Sequence, residues 1–238
     1  MLLRRVLPSD GGVVDLASPD SDERLHDWYR PLGPGLRLML ISTLDGKTAG
    51  DDGTSASISS DTDRRVLRAV RSHADAIIIG AETVRREAIG PAQGSAIVVV
   101  SGSGALDGHR LAPSAAEREL LVVTTPDGAD RARHALTALP HEVVTLAAAD
   151  DGRLDADAVV DAVRARGYTQ LVCEGGPSLA HQFRASGLVD EWCLTVAPAI
   201  GGGTPLTATD SAVARLVPRQ LLVDDEGFSY GRWAPEAG

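Results

Sequence analysis

The sequence predicts an α/β fold: a single three-layer domain with helices on both faces of a mostly parallel central sheet and antiparallel strands at the C-terminal end. Two observations carry this expectation. Short apolar runs of strand length recur at 36–41, 76–79, 96–100, 120–123, 142–146 and 170–173, separated by helical patterns, and such alternation calls for right-handed crossovers between parallel, doubly buried strands. From residue 191 the rhythm changes, and strand patterns at 191–197, 214–223 and 227–233 follow without a helix between them.

Taken in order, residues 1–35 mix Pro, Asp and Gly around a short helical candidate at 25–29, and they read as an irregular N-terminal arm on a domain of residues 36–238. The first strand, 36–41, ends in Ser42-Thr43-Leu44-Asp45-Gly46-Lys47 and a Gly/Ser-rich loop at 51–60. Asp45 before Gly46 suits a turn former. A helix over 61–73 places Val66, Leu67, Val70 and Ala74 on one face, with Ser60 as its N-cap. Arg64, Arg68 and Arg71 form a stripe on that helix, and such stripes are usually solvated. The strand at 76–79 enters a helix through Gly80-Ala81-Glu82-Thr83, where Thr83 is placed to cap. Further helices are expected at 127–138, 155–166 and 177–185.

The strand at 170–173 leads into Glu174-Gly175-Gly176-Pro177-Ser178-Leu179. Paired glycines let backbone N–H groups approach an anion, and Pro177 presets a first helical turn whose unpaired donors favour negative charge. Strand ends of this kind are where open α/β sheets bind ligands.

Composition narrows the functional classes. With 3% aromatic residues and a net charge of −10, the 238-residue chain is poorly suited to nucleic acid. Cys173 and Cys193 lie in apolar runs, as small buried side chains do, which fits a reducing, cytoplasmic compartment. No apolar run approaches the roughly 18 residues of a membrane span, and no signal-peptide pattern opens the chain. The six histidines show no metal-ligand spacing, so no metal is expected.

The motifs Ser42-Thr43-Leu44-Asp45-Gly46-Lys47, Gly80-Ala81-Glu82-Thr83-Val84-Arg85 and Glu174-Gly175-Gly176-Pro177-Ser178-Leu179, followed by Gly187 through Pro198 to Gly203, resemble in this order the reductase domain of bacterial riboflavin biosynthesis. That family has the dihydrofolate reductase-like fold, and the resemblance spans roughly 36–203. It implies NADPH-dependent hydride transfer to a pyrimidine ribosylamine phosphate, as in 5-amino-6-(5-phosphoribosylamino)uracil reductase, and a homodimer. The same resemblance assigns Ile41, Ser57, Thr83, Ser101, Gly175, Gly176, Pro177, Ser178 and Leu179 to the cofactor, and Ser55, Arg71 and Glu174 to the substrate. Glu174 is the candidate catalytic residue. Gly201 to Gly203 are read as a loop over the nicotinamide or as a dimer contact.

Two departures from the family pattern concern the substrate. Met39 stands where the family usually has Lys, and Glu87-Ala88-Ile89-Gly90-Pro91 replaces an Asp-Asp-Pro segment followed by Arg, with Glu87 in place of the first Asp. A pterin such as dihydrofolate is therefore an alternative substrate, and an NADPH-binding sensor without catalysis is an alternative function. The zinc deaminase motif that often precedes this domain, His-x-Glu with a later Pro-Cys-x-x-Cys, does not occur.

Overall fold

The computed structural model describes residues 1–90, 94–113, 119–149, 152–206 and 213–236. In chain order its elements are β1 (Leu2–Leu7), β2 (Val13–Asp15), α1 (Ser21–Trp28), β3 (Gly35–Thr43), α2 (Asp61–Arg71), β4 (Ala76–Gly80), α3 (Ala81–Arg86), β5 (Ala96–Val100) and β6 (Leu120–Thr124). There follow α4 (Ala129–Ala135), β7 (Glu142–Thr145), α5 (Ala156–Arg164), β8 (Gln170–Cys173), α6 (Pro177–Ala185), β9 (Glu191–Ala197), β10 (Leu216–Asp224) and β11 (Ser229–Pro235). Two compact units emerge, 74–188 and the union of 1–73 with 189–238.

In the 74–188 unit the strand order is β8-β4-β5-β6-β7, and every pair is parallel. Ile77, Ile79, Ile97, Val99, Leu120 and Val122 project into one apolar cluster closed by Ala132 and Leu136 of the α4 segment. Burying each large side chain contributes about 1.5–3 kcal/mol. β7 departs from the expected doubly buried strand, because it is the last in this order and its residues are only partly covered. The helix expected over 127–138 starts as a 3-10 turn at Pro126–Gly128, where the Thr125 side chain caps the Gly128 N–H, before α4 proper. The turns after β5 and β6 interlock closely: a Cβ on Gly104 (φ +64°) would lie 1.9 Å from the Gly128 carbonyl oxygen.

In the other unit the order is β2-β1-β10-β11-β9-β3. The segment read as an irregular arm carries β1, β2 and α1, with Leu3 of β1 paired antiparallel to Asp224. β10 and β11 form the expected antiparallel hairpin. β9 corrects the reading of the C-terminal strands, since it pairs in parallel with β3 along Arg37 to Thr43, and lies between β3 and β11.

That register places Arg37 opposite Glu191, and Arg232 one strand further on opposite Cys193. The Glu191 carboxylate accepts Arg37 Nε at 2.6 Å and Arg232 Nε at 2.8 Å. The same two guanidiniums donate to the carbonyls of Trp28, Tyr29 and Arg30, which close the C-terminal end of α1. Beside this plug, His26 of α1 stacks on His73 with ring centroids 3.9 Å apart, and His73 Nε2 lies 2.8 Å from the His26 carbonyl. Burial lowers the His73 pKa, with the His26 and Arg37 charges adding to the shift.

The alternation along β9 buries Glu191, Cys193, Thr195 and Ala197 and leaves Trp192, Leu194 and Val196 half-buried on the other face. There Trp192 pairs with Trp233, and Gly231 lies between Leu194 and Leu221. The face holds an apolar hollow of about 350 Å³ lined by these residues. Gly231 is required by its neighbour, because a Cβ would meet the Trp233 indole nitrogen at 2.2 Å.

Candidate active site

Within the 74–188 unit, parallel pairing of Ile78 with Cys173 brings the turn after β4 against the turn after β8. The Gly80 N–H donates to the Gly175 carbonyl at 2.7 Å, and the Glu174 N–H to the Ile78 carbonyl at 3.0 Å. Gly175 takes φ +82°, a left-handed conformation suited to glycine, and the Gly175–Gly176 peptide is cis. Gly176 is the N-cap of α6, and Pro177 occupies its first turn. A Cβ on Gly80 would come within 3.3 Å of the Gly176 nitrogen, and one on Gly176 within 3.0 Å of Thr83 Oγ1.

Thr83 therefore belongs to this corner, but not as the expected cap. Gly80 is the N-cap of α3 and Thr83 is its third helical residue, so its hydroxyl leans toward Gly176 and leaves its own helix start uncapped. Ser178 is exposed beside it and Leu179 packs inward. Ser101 sits buried just past β5, two strands along from β8, roughly 10 Å away at ordinary strand spacing. Glu87 is half-buried as the C-cap of α3, and Pro91 lies outside the described residues. Burial pushes the Cys173 thiol up to about 12, which removes it as a nucleophile.

Within the unit of 1–73 and 189–238, Ile41 packs with Ile58 and Ala197, flanked by Ala199 and Phe228. The Thr43 hydroxyl donates to Asp45 Oδ1 at 2.7 Å, and the same oxygen accepts the Gly201 N–H at 2.9 Å. Those bonds hold the Asp45 carboxyl below the usual carboxylate range. Asp45 is thus a fastener between the β3 turn and the triple-glycine loop. Gly202 (φ +104°) lies so close to that turn that a Cβ would meet the Ala49 carbonyl oxygen at 2.2 Å.

The loop after this turn is organised by Asp52. Its carboxylate accepts the Thr54 N–H and the Ser57 hydroxyl at 2.8 and 2.7 Å, which sets the 3-10 turn Ser55–Ile58. Ser55 is half-buried and Ser57 exposed on that turn. Ser60 caps α2 as expected, accepting the Asp63 N–H at 3.1 Å. The arginine stripe on α2 splits: Arg64 and Arg68 are exposed, whereas Arg71 at the helix end is half-buried.

One residue escaped the sequence reading. Asp63 is only 6% exposed, accepts the Ser59 hydroxyl at Oδ2 (2.7 Å), stands beside Thr195, and has no hydrogen-bond partner at Oδ1. Burial raises its pKa, and the Ser59 and Thr195 hydroxyls pull it partly back. The signal was available: residues 63, 66 and 70 share the inward face of α2, so an acid stood on an apolar stripe.

Among the described residues no group of three His, Cys, Asp or Glu could hold a metal ion, and no helix is long and apolar enough to cross a membrane.

Residues 34–228 match the family of the RibD C-terminal domain. A riboflavin biosynthesis protein RibD of Corynebacterium ammoniagenes is 29% identical over 232 residues, covering 87% of this chain and 58% of that protein. The 2,5-diamino-6-ribosylamino-4(3H)-pyrimidinone 5′-phosphate reductase of Methanothermobacter thermautotrophicus is 31% identical over 179 residues, covering 71% of this chain and 80% of the relative. Among solved structures, a pyrimidine reductase-like protein of Corynebacterium diphtheriae superposes with a TM-score of 0.69 at 23% identity, covering 93% of this chain and 96% of that one. That likeness confirms the fold class expected from the sequence.

Proposed function

The chain belongs to the RibD C-terminal domain family, and on that premise we propose that it is an NADPH-dependent reductase of a pyrimidine ribosylamine phosphate. The observation that carries the reading is the bare backbone corner at Gly80, Gly175 and Gly176. A Cβ on Gly80 would press on the Gly176 nitrogen and one on Gly176 on the Thr83 hydroxyl, so only glycine keeps these two turns together, and the N–H groups at the start of α6 are the ones that would meet an anion.

A dinucleotide pyrophosphate fits that cradle. Thr83 and the amides of Gly176 to Leu179 would hold it, and Ser101, past the end of β5, takes the 2′-phosphate end. In the other unit, Ile41 and Ser57 are the cofactor contacts and Ser55 and Arg71 the substrate contacts, with the half-buried Arg71 suited to a sugar phosphate. When bound, the nicotinamide supplies the hydride. Glu174 orients the heterocycle by accepting its N–H groups.

A pterin substrate is the second reading, favoured by Met39, which lies 5% exposed in β3 and offers a phosphate no charge. NADPH oxidation followed with the pyrimidine ribosylamine phosphate, with dihydrofolate and with neither decides between them. Tight NADPH binding without oxidation in any arm would instead mark a sensor.

We also read the chain as a cytoplasmic homodimer. The buried free thiols Cys173 and Cys193 suit a reducing compartment, and the uncharged face around Trp192 and Trp233 suits a self-complementary contact.

A further inference from the structure

We infer that His26 is a positioning residue for Arg71: stacked on His73 and bonded to Ser72, it fixes the last turn of α2 and with it the guanidinium offered to the substrate's phosphate. The inference rests on the reading of Arg71 as a substrate contact and specifies what holds it in place. His26 precedes residues 34–228, which match the family, so this control comes from outside the matched domain. Three observations within the unit of 1–73 and 189–238 carry it.

The first is how α2 ends. No glycine stops the helix: its C-cap Ser72 keeps helical angles, φ −64° and ψ −12°, where a left-handed residue is the common terminator. The Ser72 and His73 N–H groups reach back to the Arg68 and Val70 carbonyls at 2.9 and 3.2 Å, and the Ser72 hydroxyl donates to the Ala69 carbonyl at 2.9 Å. Helix ends fray unless their last groups are tied down. Arg71 lies in that last turn.

The second is the tie itself. The Ser72 hydroxyl has one proton, already given to Ala69, so in its 2.9 Å bond with His26 the imidazole Nδ1–H is the donor. His73 Nε2–H donates to the His26 carbonyl at 2.8 Å, and the two rings stack with centroids 3.9 Å apart. Both bonds and the ring contact thus run from one residue of α1 to the two residues that follow Arg71.

The third is that the N-terminal arm is fastened elsewhere. β1 pairs with β10, and Arg65 of α2 donates to the Leu16 carbonyl, the Ser21 hydroxyl and the Asp22 carboxylate at 2.5, 2.5 and 2.9 Å. Docking of the arm does not require a second tie about two turns further along α2. What the histidines add is a fixed end to the helix, and a guanidinium that grips a phosphate with two parallel bonds needs its fork held in one place.

The test follows NADPH-dependent reduction of 2,5-diamino-6-ribosylamino-4(3H)-pyrimidinone 5′-phosphate by the full chain and by its His26→Ala, His26→Asn and Arg71→Ala variants. Loss of the tie in His26→Ala should raise KM roughly fivefold, the weight of one hydrogen bond, with kcat unchanged. His26→Asn, whose amide nitrogen takes the place of Nδ1, should restore it. Affinity for ribose 5-phosphate, read by calorimetry without turnover, should fall by the same factor in His26→Ala, and hydrogen exchange at the Ser72 and His73 amides should quicken. Unchanged KM and phosphate affinity in His26→Ala, with Arg71→Ala impaired, overturn the inference and leave the reductase reading standing. If Arg71→Ala alters neither quantity, the substrate reading of Arg71 fails and the inference falls with it. If the parent reduces nothing, the reductase reading fails, and the ribose 5-phosphate comparison still decides the role of His26. A loss of kcat and melting temperature in His26→Ala that His26→Asn does not restore assigns the histidines to folding alone and equally overturns the inference.

Discussion

Replacing Glu191 with alanine should cost this protein a large part of its stability. The carboxylate is the shared partner of Arg37 and Arg232, whose side chains are only 4% and 9% exposed. Its removal strands two guanidiniums in a buried space. Breaking a buried ion pair by deleting one partner costs about 3–5 kcal/mol. For a chain of this size each kcal/mol moves the melting temperature by about 2–4 °C, so the drop should be roughly 6–20 °C.

Thermal melts followed by circular dichroism measure it directly. A control separates lost charge pairing from lost packing: Arg37→Met, Glu191→Leu and Arg232→Met together remove every charge. Such apolar replacement of a buried ionic cluster is often neutral or stabilising, but here the carbonyls of Trp28, Tyr29 and Arg30 lose their donors, at about 1 kcal/mol each. The triple variant should therefore recover part of the loss. A Glu191→Ala protein that melts within about 2 °C of the parent, or a triple variant worse than the single one, would refute stranded charge as the cause.

Three further outcomes are expected. Glu174→Ala should lower kcat by about a hundredfold, the scale on which mispositioned substrates lose rate, while NADPH affinity by fluorescence titration stays unchanged; undiminished turnover removes Glu174 from the site. The folded-state pKa of His73 is depressed, so its contribution is present above the unfolded value of about 6.5 and is lost as pH falls through the folded pKa; melts between pH 7 and pH 5 should show a decline that His73→Asn reduces. If the face around Trp192 is the proposed self-contact, Trp192→Glu should give a monomeric mass in light scattering where the parent gives a dimeric one, since a charge would then face the apolar hollow; an unchanged mass would remove that face as the contact.

β4, β5 and β6 of the 74–188 unit were legible because each is an apolar run buried on both faces, a pattern that depends only on neighbouring residues. Ser60 at the start of α2 and the Gly175-Gly176 corner were legible for the same local reason. What escaped depends on distant partners. β1 carries Arg4 and Arg5 in its middle and is held as a strand between β2 and residues 221–224 from the far end of the chain. β9 alternates as a half-covered antiparallel strand would, and its parallel partner β3 lies far back in the chain. Thr83 was placed as a cap from its own helix, whereas its neighbour Gly176 comes from a different turn. Asp63 was hidden among the acids and arginines of α2, and only the fold shows that it points inward while Asp61 and Arg64 point out.

Two of the three tryptophans, Trp192 and Trp233, stand side by side across β9 and β11 on one uncharged face. The third, Trp28, is covered by the Arg5 guanidinium at 4.6 Å. The strand face consequently carries its own optical label. Whatever covers it excludes water from two indoles at once and should shift their emission to the blue, so any partner on that face would register without an attached dye. Each protein concentration in a simple dilution series then becomes a reading of how much of that face is occupied.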